Sequence, residues 1–322
     1  MIEIKSSSTR MWSKIGSRGT FGAAILEMAK EHDDFYAISA DLCTSSGLDR
    51  FREAYPERFI NLGIAEQNMI GVAAGLAKDG TPVFVTSFAP FISMRASEQI
   101  RMNLGYMQLN VKTVGLGSGL IMAYLGNSHY GLEDVAIMRA IPNMTVVSPA
   151  DCTAIVKAVE AVRAYNGPVY LRLTGGPNNP VVYKENFDFV IGKANVLAQG
   201  EDVAIIAAGT MVHQSLQAAE ILKEQGITAT VIDMHTIKPL DVEAINNVLK
   251  YKLLVTVEEH TVIGGLGSAI AEYIAPIKEK SAHLIIGIND CFPHTGEYNY
   301  LLEQCGLTAK RIADRITQCY ER

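Results

Sequence analysis

Glu66 stands at the start of a small, apolar, helix-compatible run from Met69 to Ala77, with Gln67 and Asn68 between. Two readings of it are open. A carboxylate in the first turn of a helix offsets the macrodipole, a common surface arrangement. Yet Leu62-Gly-Ile-Ala65 precedes it and an apolar run follows. Desolvation of that kind favours the protonated form of a carboxyl group and suits it to holding and passing a proton. Phe88 and Phe91 follow the strand-like Val83-Phe-Val-Thr86. Two phenylalanines at this spacing make ordinary core, but the carboxyl end of a parallel strand is where α/β sheets place ligands. His129 lies in the polar, glycine-flanked Gly126-Asn-Ser-His-Tyr-Gly131. A loop histidine of this kind is open to a catalytic or a structural role. In the second half, Glu258-Glu-His-Thr-Val-Ile-Gly-Gly-Leu-Gly-Ser268 could cradle a phosphate at a helix start. GGLGS lacks the GxGxxG spacing and the Walker lysine, which points instead to tight strand-to-helix packing. His235 and His260 have no ligand-like spacing and read as structural or interfacial, and Glu133 and Arg139 as structural, an exposed or interfacial pair.

Alternating strands and helices must position these groups. An amphipathic helix is expected over 19–30 and strands over 35–40, 59–62, 82–86, 111–115, 144–148 and 169–173. Helices are expected over 65–78, 90–104, 132–140 and 151–165. Short apolar strands separated by helices of this length indicate a parallel sheet covered on both faces. The Pro-, Gly- and Asn-rich 174–192 has no sustained period and reads as a linker. A second alternation follows, with strands at 203–207, 228–233, 253–258 and 284–288 and helices at 211–225, 242–249, 266–274 and 308–318. The expectation is two doubly wound α/β domains, 1–185 and 186–322.

Composition narrows the function. With 322 residues, 48% hydrophobic and 19% charged, the chain can bury a large core. A net charge of -6 and no Lys/Arg cluster argue against a nucleic-acid surface. The start, MIEIKSSSTRMW, lacks the apolar segment of a signal peptide, and no apolar run approaches the roughly 20 residues that span a bilayer. Five cysteines without a CxxC pair suit neither a zinc site nor a disulfide framework. A soluble, cytoplasmic protein is expected.

In this order, the motifs resemble the carboxyl-terminal half of transketolase and of its relative deoxyxylulose-phosphate synthase. The strongest is Asn61-Leu-Gly-Ile-Ala-Glu-Gln-Asn-Met69 followed by Gly71-Val-Ala-Ala-Gly-Leu-Ala77. Ser39-Ala-Asp-Leu42, Ser128-His-Tyr-Gly-Leu-Glu-Asp134, Arg139-Ala-Ile-Pro-Asn-Met-Thr-Val146, His235-Thr-Ile-Lys-Pro-Leu-Asp241 and GGLGS support it. The resemblance runs from Arg18 to about residue 316 and implies a pyrimidine-binding domain followed by a transketolase carboxyl-terminal domain. It implies transfer of a two-carbon ketol unit from a ketose to an aldose-type acceptor with thiamine diphosphate as electron sink. Glu66 then matches the glutamate that bonds N1′ of the aminopyrimidine and favours the imino tautomer that deprotonates the thiazolium C2. Phe88 and Phe91 match the aromatic wall of the pyrimidine, Asp41 a carboxylate near the thiazolium, and His129 the histidine that handles substrate hydroxyl protons. Arg18 and Ser45 match contacts to the sugar phosphate.

Departures from the family pattern shape the rest. No GDG…N signature for Mg²⁺ or Ca²⁺ and the diphosphate occurs; Lys78-Asp-Gly80 ends the Glu66 helix instead. The resemblance therefore implies a split transketolase, active only with an N-terminal subunit that carries that signature and holds the metal, as an α2β2 heterotetramer around a homodimeric core. Family positions for a phosphate-binding histidine, a second arginine and a hydroxyl-reading aspartate fall on Gly117, about Gly175, and Leu125. A non-standard sugar acceptor is expected, since an apolar wall leaves a sugar hydroxyl unpaired. The alternatives are the β subunit of a 2-oxoacid dehydrogenase and a non-catalytic cofactor-binding regulatory subunit.

Overall fold

The computed structural model describes residues 4–321. A first sheet is built from β1 (Tyr36–Ser39), β2 (Phe59–Asn61), β3 (Val83–Phe88), β4 (Val111–Leu116), β5 (Thr145–Val147) and β6 (Val169–Arg172). A second is built from β7 (Asn195–Ala198), β8 (Val203–Ala207), β9 (Ala229–Asp233), β11 (Leu253–Thr261) and β12 (Ala282–Ile288), while β10 (Thr236–Lys238), between β9 and β11 in sequence, joins the first. The orders are β10-β5-β6-β4-β3-β1-β2 and β12-β11-β8-β9-β7. All pairings are parallel except those of β10 with β5 and of β7 with β9. Both sheets carry apolar strands buried along their length and helices on both faces, as parallel sheets require.

The sequence pattern misses β7 and β10. β10 belongs in sequence to the second domain but pairs antiparallel with β5, Thr236 opposite Val147, and so closes the edge of the first sheet. A three-residue strand of this kind exists because a partner edge is presented to it, and no local period records that. The core follows suit: Ile38, Val85 and Val146 of the first sheet share one apolar cluster with Ile206 and Ile232 of the second and with Leu266 of the helix Leu266–Ile274. The first helix, expected from residue 19, runs Ser6–Glu31 and is broken at Gly16 (φ 75°, ψ -179°). A Cβ at Gly16 would lie 2.6 Å from the Gly176 carbonyl carbon, so only glycine lets the two segments touch. The stretch expected as the helix 90–104 is irregular, with π-type turns over Phe91–Arg95 and Ile100–Tyr106 around a short α-helical piece.

The helix Glu66–Ala77 shows how the site is set. Its buried residues are Glu66, Met69, Ile70, Ala73 and Ala77, spaced at three, four, seven and eleven from the first. The same period that drives Met69 and Ile70 into the core, at about 1.5–3 kcal/mol for each large side chain buried, carries the carboxylate in with them.

Candidate active site

Glu66 is 2% exposed, which removes the surface-dipole reading. Both of its oxygens are bonded. Ser87 Oγ donates to Oε1 at 3.2 Å, and Arg95 Nη1 donates to Oε2 at 2.9 Å. Arg95 reaches it from the π-type turn and lies 4.5 Å over the Phe91 ring. Phe91 and Phe88 meet edge to face at 5.9 Å between centroids, and His129 packs on both, at 5.2 Å from Phe91 and 5.6 Å from Phe88. Glu66, Phe88, Phe91 and His129, separated by up to 63 positions in sequence, thus form one chain of contacts with Arg95 as its link.

Asp41 stands just past β1 in the left-handed region (φ 59°). The Asn61 amide holds it from both sides: Oδ1 accepts from the Asp41 N–H at 3.0 Å and Nδ2 donates to Asp41 Oδ1 at 3.1 Å. Arg18 and Ser45 line one cleft of about 380 Å³ with Gly16, Thr44, Gly175 and Gly176, and Arg18 Nη1 donates to the Ser45 carbonyl at 3.4 Å. Burial lowers the Arg18 pKa from its ordinary value. Arg18 is the one cation among the lining residues. Gly175 (φ 83°) sits in the wall, and a Cβ there would meet the Asn179 side chain at 2.6 Å. At Gly117 (φ 62°) a Cβ would lie 2.6 Å from Met122 Sδ, so the backbone admits no histidine without rearrangement. Leu125, four positions before His129, is 52% exposed.

The motifs read as structural behave so. Glu258 accepts from the backbone N–H groups of Leu266 and Gly267 at 2.7 and 2.8 Å. The helix start that could have cradled a phosphate is therefore filled by the chain's own carboxylate. His260 accepts from Ala136 N at 3.3 Å across the domains, and His235 stacks on Phe189 at 4.0 Å. Arg139 is interfacial, as one of the expected alternatives had it, but its partners are Glu272 at 2.7 Å and the Gly264 carbonyl rather than Glu133, tying the two domains.

A flat heteroaromatic ring with an edge nitrogen needs an apolar wall and a buried carboxylate, and Phe88, Phe91 and Glu66 supply both. A diphosphate with its metal needs carboxylate or amide ligands and free N–H groups. Among the described residues no group of three or more His, Cys, Asp or Glu is placed to hold a metal ion, and the Gly264–Ser268 turn is taken. The residues fit one end of the cofactor. Sequence reasoning overlooked Arg95, Ser87 and Asn61. The i, i+4 spacing of Phe91 and Arg95 was a usable signal for a cation over a ring.

Comparison with known proteins agrees. The model for the transketolase pyrimidine-binding domain matches residues 13–176, and that for the transketolase carboxyl-terminal domain matches 192–312. A putative transketolase C-terminal section from Methanocaldococcus jannaschii is 44% identical over 94% of this chain and 96% of its own length. A 6-deoxy-6-sulfo-D-fructose transketolase subunit from a Clostridium species is 43% identical over 95% of this chain and 94% of its own. Among solved structures, a split-gene transketolase described as an inactive β4 tetramer superposes with a TM-score of 0.86 at 38% identity, over 95% of this chain and 98% of that one. These relatives favour a transketolase subunit over a 2-oxoacid dehydrogenase β subunit or a regulatory one. The chain belongs to the transketolase family, with that family's pyrimidine-binding and carboxyl-terminal domains in one transferase subunit.

Proposed function

We propose that this chain is the half of a split transketolase that grips the pyrimidine of thiamine diphosphate and handles substrate protons. The observation that carries the reading is the buried Glu66 carboxylate joined through Arg95 to the Phe91–Phe88–His129 wall. When bound, the cofactor supplies the electron sink for C–C cleavage. Glu66 would hold the ring-nitrogen edge, Phe88 and Phe91 would hold its face and exclude water, and Asp41, fixed by Asn61, would supply a carboxylate toward the thiazolium. His129 accepts and returns the substrate hydroxyl proton. The domain boundary falls near residue 185.

The diphosphate and its Mg²⁺ or Ca²⁺ belong in this reading to an N-terminal subunit carrying a GDG…N motif, in a cytoplasmic α2β2 assembly with a homodimeric core. Support comes from the face of the Glu66 helix: beyond the helix's own neighbouring backbone, nothing among the described residues lies within 4 Å of where a Cβ on Gly71 or Gly75 would stand, and neighbouring Ile64 is 78% exposed. Isolated helix glycines each cost about 1 kcal/mol, which close approach of another chain offsets. The substrate is a sugar with one acidic end seated at Arg18 and Ser45 and an apolar or modified group near Leu125. The relative named for a sulfonated fructose supports that class. Calorimetry tests the split: the chain alone, with Mg²⁺, should bind thiamine diphosphate weakly or not at all, and the reconstituted complex tightly. Micromolar binding by the chain alone would contradict it.

A further inference from the structure

The loop that carries His129 leaves β4 at Gly117 and is anchored at its start within the first domain, where Ser118 N donates to the Leu173 carbonyl at 3.0 Å. Beyond that point, apart from the bond of Gly131 to Arg172 of β6, its outward hydrogen bonds among the described residues reach the second domain. Glu259, 1% exposed at the end of β11, accepts the Leu120 N–H on Oε1 at 2.6 Å. Its other oxygen takes the Thr210 and Tyr298 hydroxyls at 2.6 and 2.8 Å. Asn127 Nδ2 donates to the Pro293 carbonyl at 2.8 Å, and Tyr130 Oη shares its one proton between the carbonyls of Ala123 at 2.6 Å and His294 at 3.3 Å. Arg172 Nη2 bridges the Gly131 and Glu259 carbonyls at 2.9 Å each, and Thr261 N donates to the Leu132 carbonyl at 2.9 Å. The fit is close. A Cβ at Gly119 (φ 76°) would collide with the Glu259 carboxylate, and one at Gly126 (φ 71°) would lie 2.5 Å from Thr295 Cγ2.

We propose that the second domain is a positioning clamp for this loop, its Glu259, Pro293 and His294 fixing Leu120, Asn127 and Tyr130 so that the His129 ring stays seated against Phe88 and Phe91. Glycine-rich loop backbone has little intrinsic order, and ordering each residue costs about 1–2 kcal/mol in entropy. A proton-handling ring, however, has to be held to within about 0.5 Å of its working position. The clamp resolves that conflict from outside the loop. It also gives the second domain, which contributes no atom to the Glu66–Arg95–Phe91–Phe88–His129 chain of contacts, a part in the reaction. The functional arm of this inference rests on His129 being the substrate-facing histidine; the structural arm does not.

Asn127→Ala removes the bond to Pro293, and Tyr130→Phe removes those to Ala123 and His294 with little change of shape. Hydrogen exchange on the whole chain should show the amides of 119–131 exchanging faster by about tenfold, the size of one lost net hydrogen bond, and the remainder unchanged. In the complex reconstituted with the N-terminal subunit, kcat should fall about tenfold with KM for the ketose donor within about threefold. That loss should disappear in a His129→Ala background, because the ring being positioned is gone. Unchanged loop exchange in both variants overturns the clamp. So does a loosened loop with unchanged kcat when His129→Ala itself lowers kcat. If His129→Ala leaves kcat intact, the role of His129 fails instead, and the exchange result still decides whether the second domain holds the loop.

Discussion

Arg95 Nη1 lies 2.9 Å from Glu66 Oε2, pairing a guanidinium that is 47% exposed with a carboxylate that is 2% exposed. The asymmetry matters. Glu66 loses its water on folding and has Ser87 and Arg95 in exchange, while Arg95 keeps half its hydration and rests on the Phe91 face. Removing Arg95 leaves a buried charge with a single hydroxyl partner, the costly way to break such a pair, though exposure on the arginine side screens the loss. Arg95→Met should lower the stability of the chain by about 1 kcal/mol, and the loss should shrink to near zero in a Glu66→Gln background. A double-mutant cycle by urea denaturation measures this coupling. Additive effects would mean that the pair does not hold Glu66 in place.

Asp233 offers a pH test of the joint between linker and second sheet. Tyr183 Oη donates to Asp233 Oδ2 at 2.7 Å. Burial pushes the Asp233 carboxyl up to about 7, with the nearby Asp151 adding to the rise and the Tyr183 hydrogen bond opposing it. A carboxyl whose pKa is raised on folding contributes stability that is complete below its unfolded value and is lost as pH climbs through the folded one. The wild type should therefore lose stability relative to Asp233→Asn between about pH 4 and 7 and run parallel to it above. Thermal melts of both proteins at about pH 5, 6, 7 and 8 read the difference. A difference independent of pH would place the Asp233 proton elsewhere.

Much of this arrangement was legible from residue order, and the gaps have a common cause. The apolar strands are local signals from which most of both sheets followed, while the apolar run around Glu66 left its burial open until the helix Glu66–Ala77 was seen to turn it inward. β10, β7 and the Arg139–Glu272 pair were missed because each depends on a surface that another part of the chain presents. Arg95 escaped for a different reason: its π-type turn departs from the regular helix that the pattern suggested for 90–104. The clamp on His129 joins groups more than 130 positions apart, such as Leu120 with Glu259, and no spacing rule reaches that far.

Substrate choice should turn on Leu125. With glycine at 117 (φ 62°) and 175 (φ 83°), a backbone conformation that disfavours a side chain, Arg18 alone among the lining residues offers charge to the acidic end of a sugar. The reconstituted complex should turn over xylulose 5-phosphate and ribose 5-phosphate with kcat/KM below about 10⁴ M⁻¹s⁻¹, the low edge of ordinary enzymes. Leu125→Asp should raise that value about tenfold by giving a sugar hydroxyl a partner. A wild-type value at or above that edge would make this a conventional transketolase cut in two, and the Leu125 argument would fail.

The central claim is that Glu66 is the carboxylate that engages the cofactor ring, and exchange of the thiamine C2 proton reads it most directly. In the complex reconstituted with the subunit that seats the diphosphate, C2–H exchange of bound thiamine diphosphate is followed by NMR after rapid quench in deuterated buffer. Wild-type complex should exchange far faster than free cofactor. Glu66→Gln, which keeps the shape and the Ser87 bond but cannot carry the charge, should slow exchange by at least about a hundredfold while binding the cofactor within about tenfold of wild type. Exchange near the wild-type rate in Glu66→Gln, with the cofactor bound, would contradict the account.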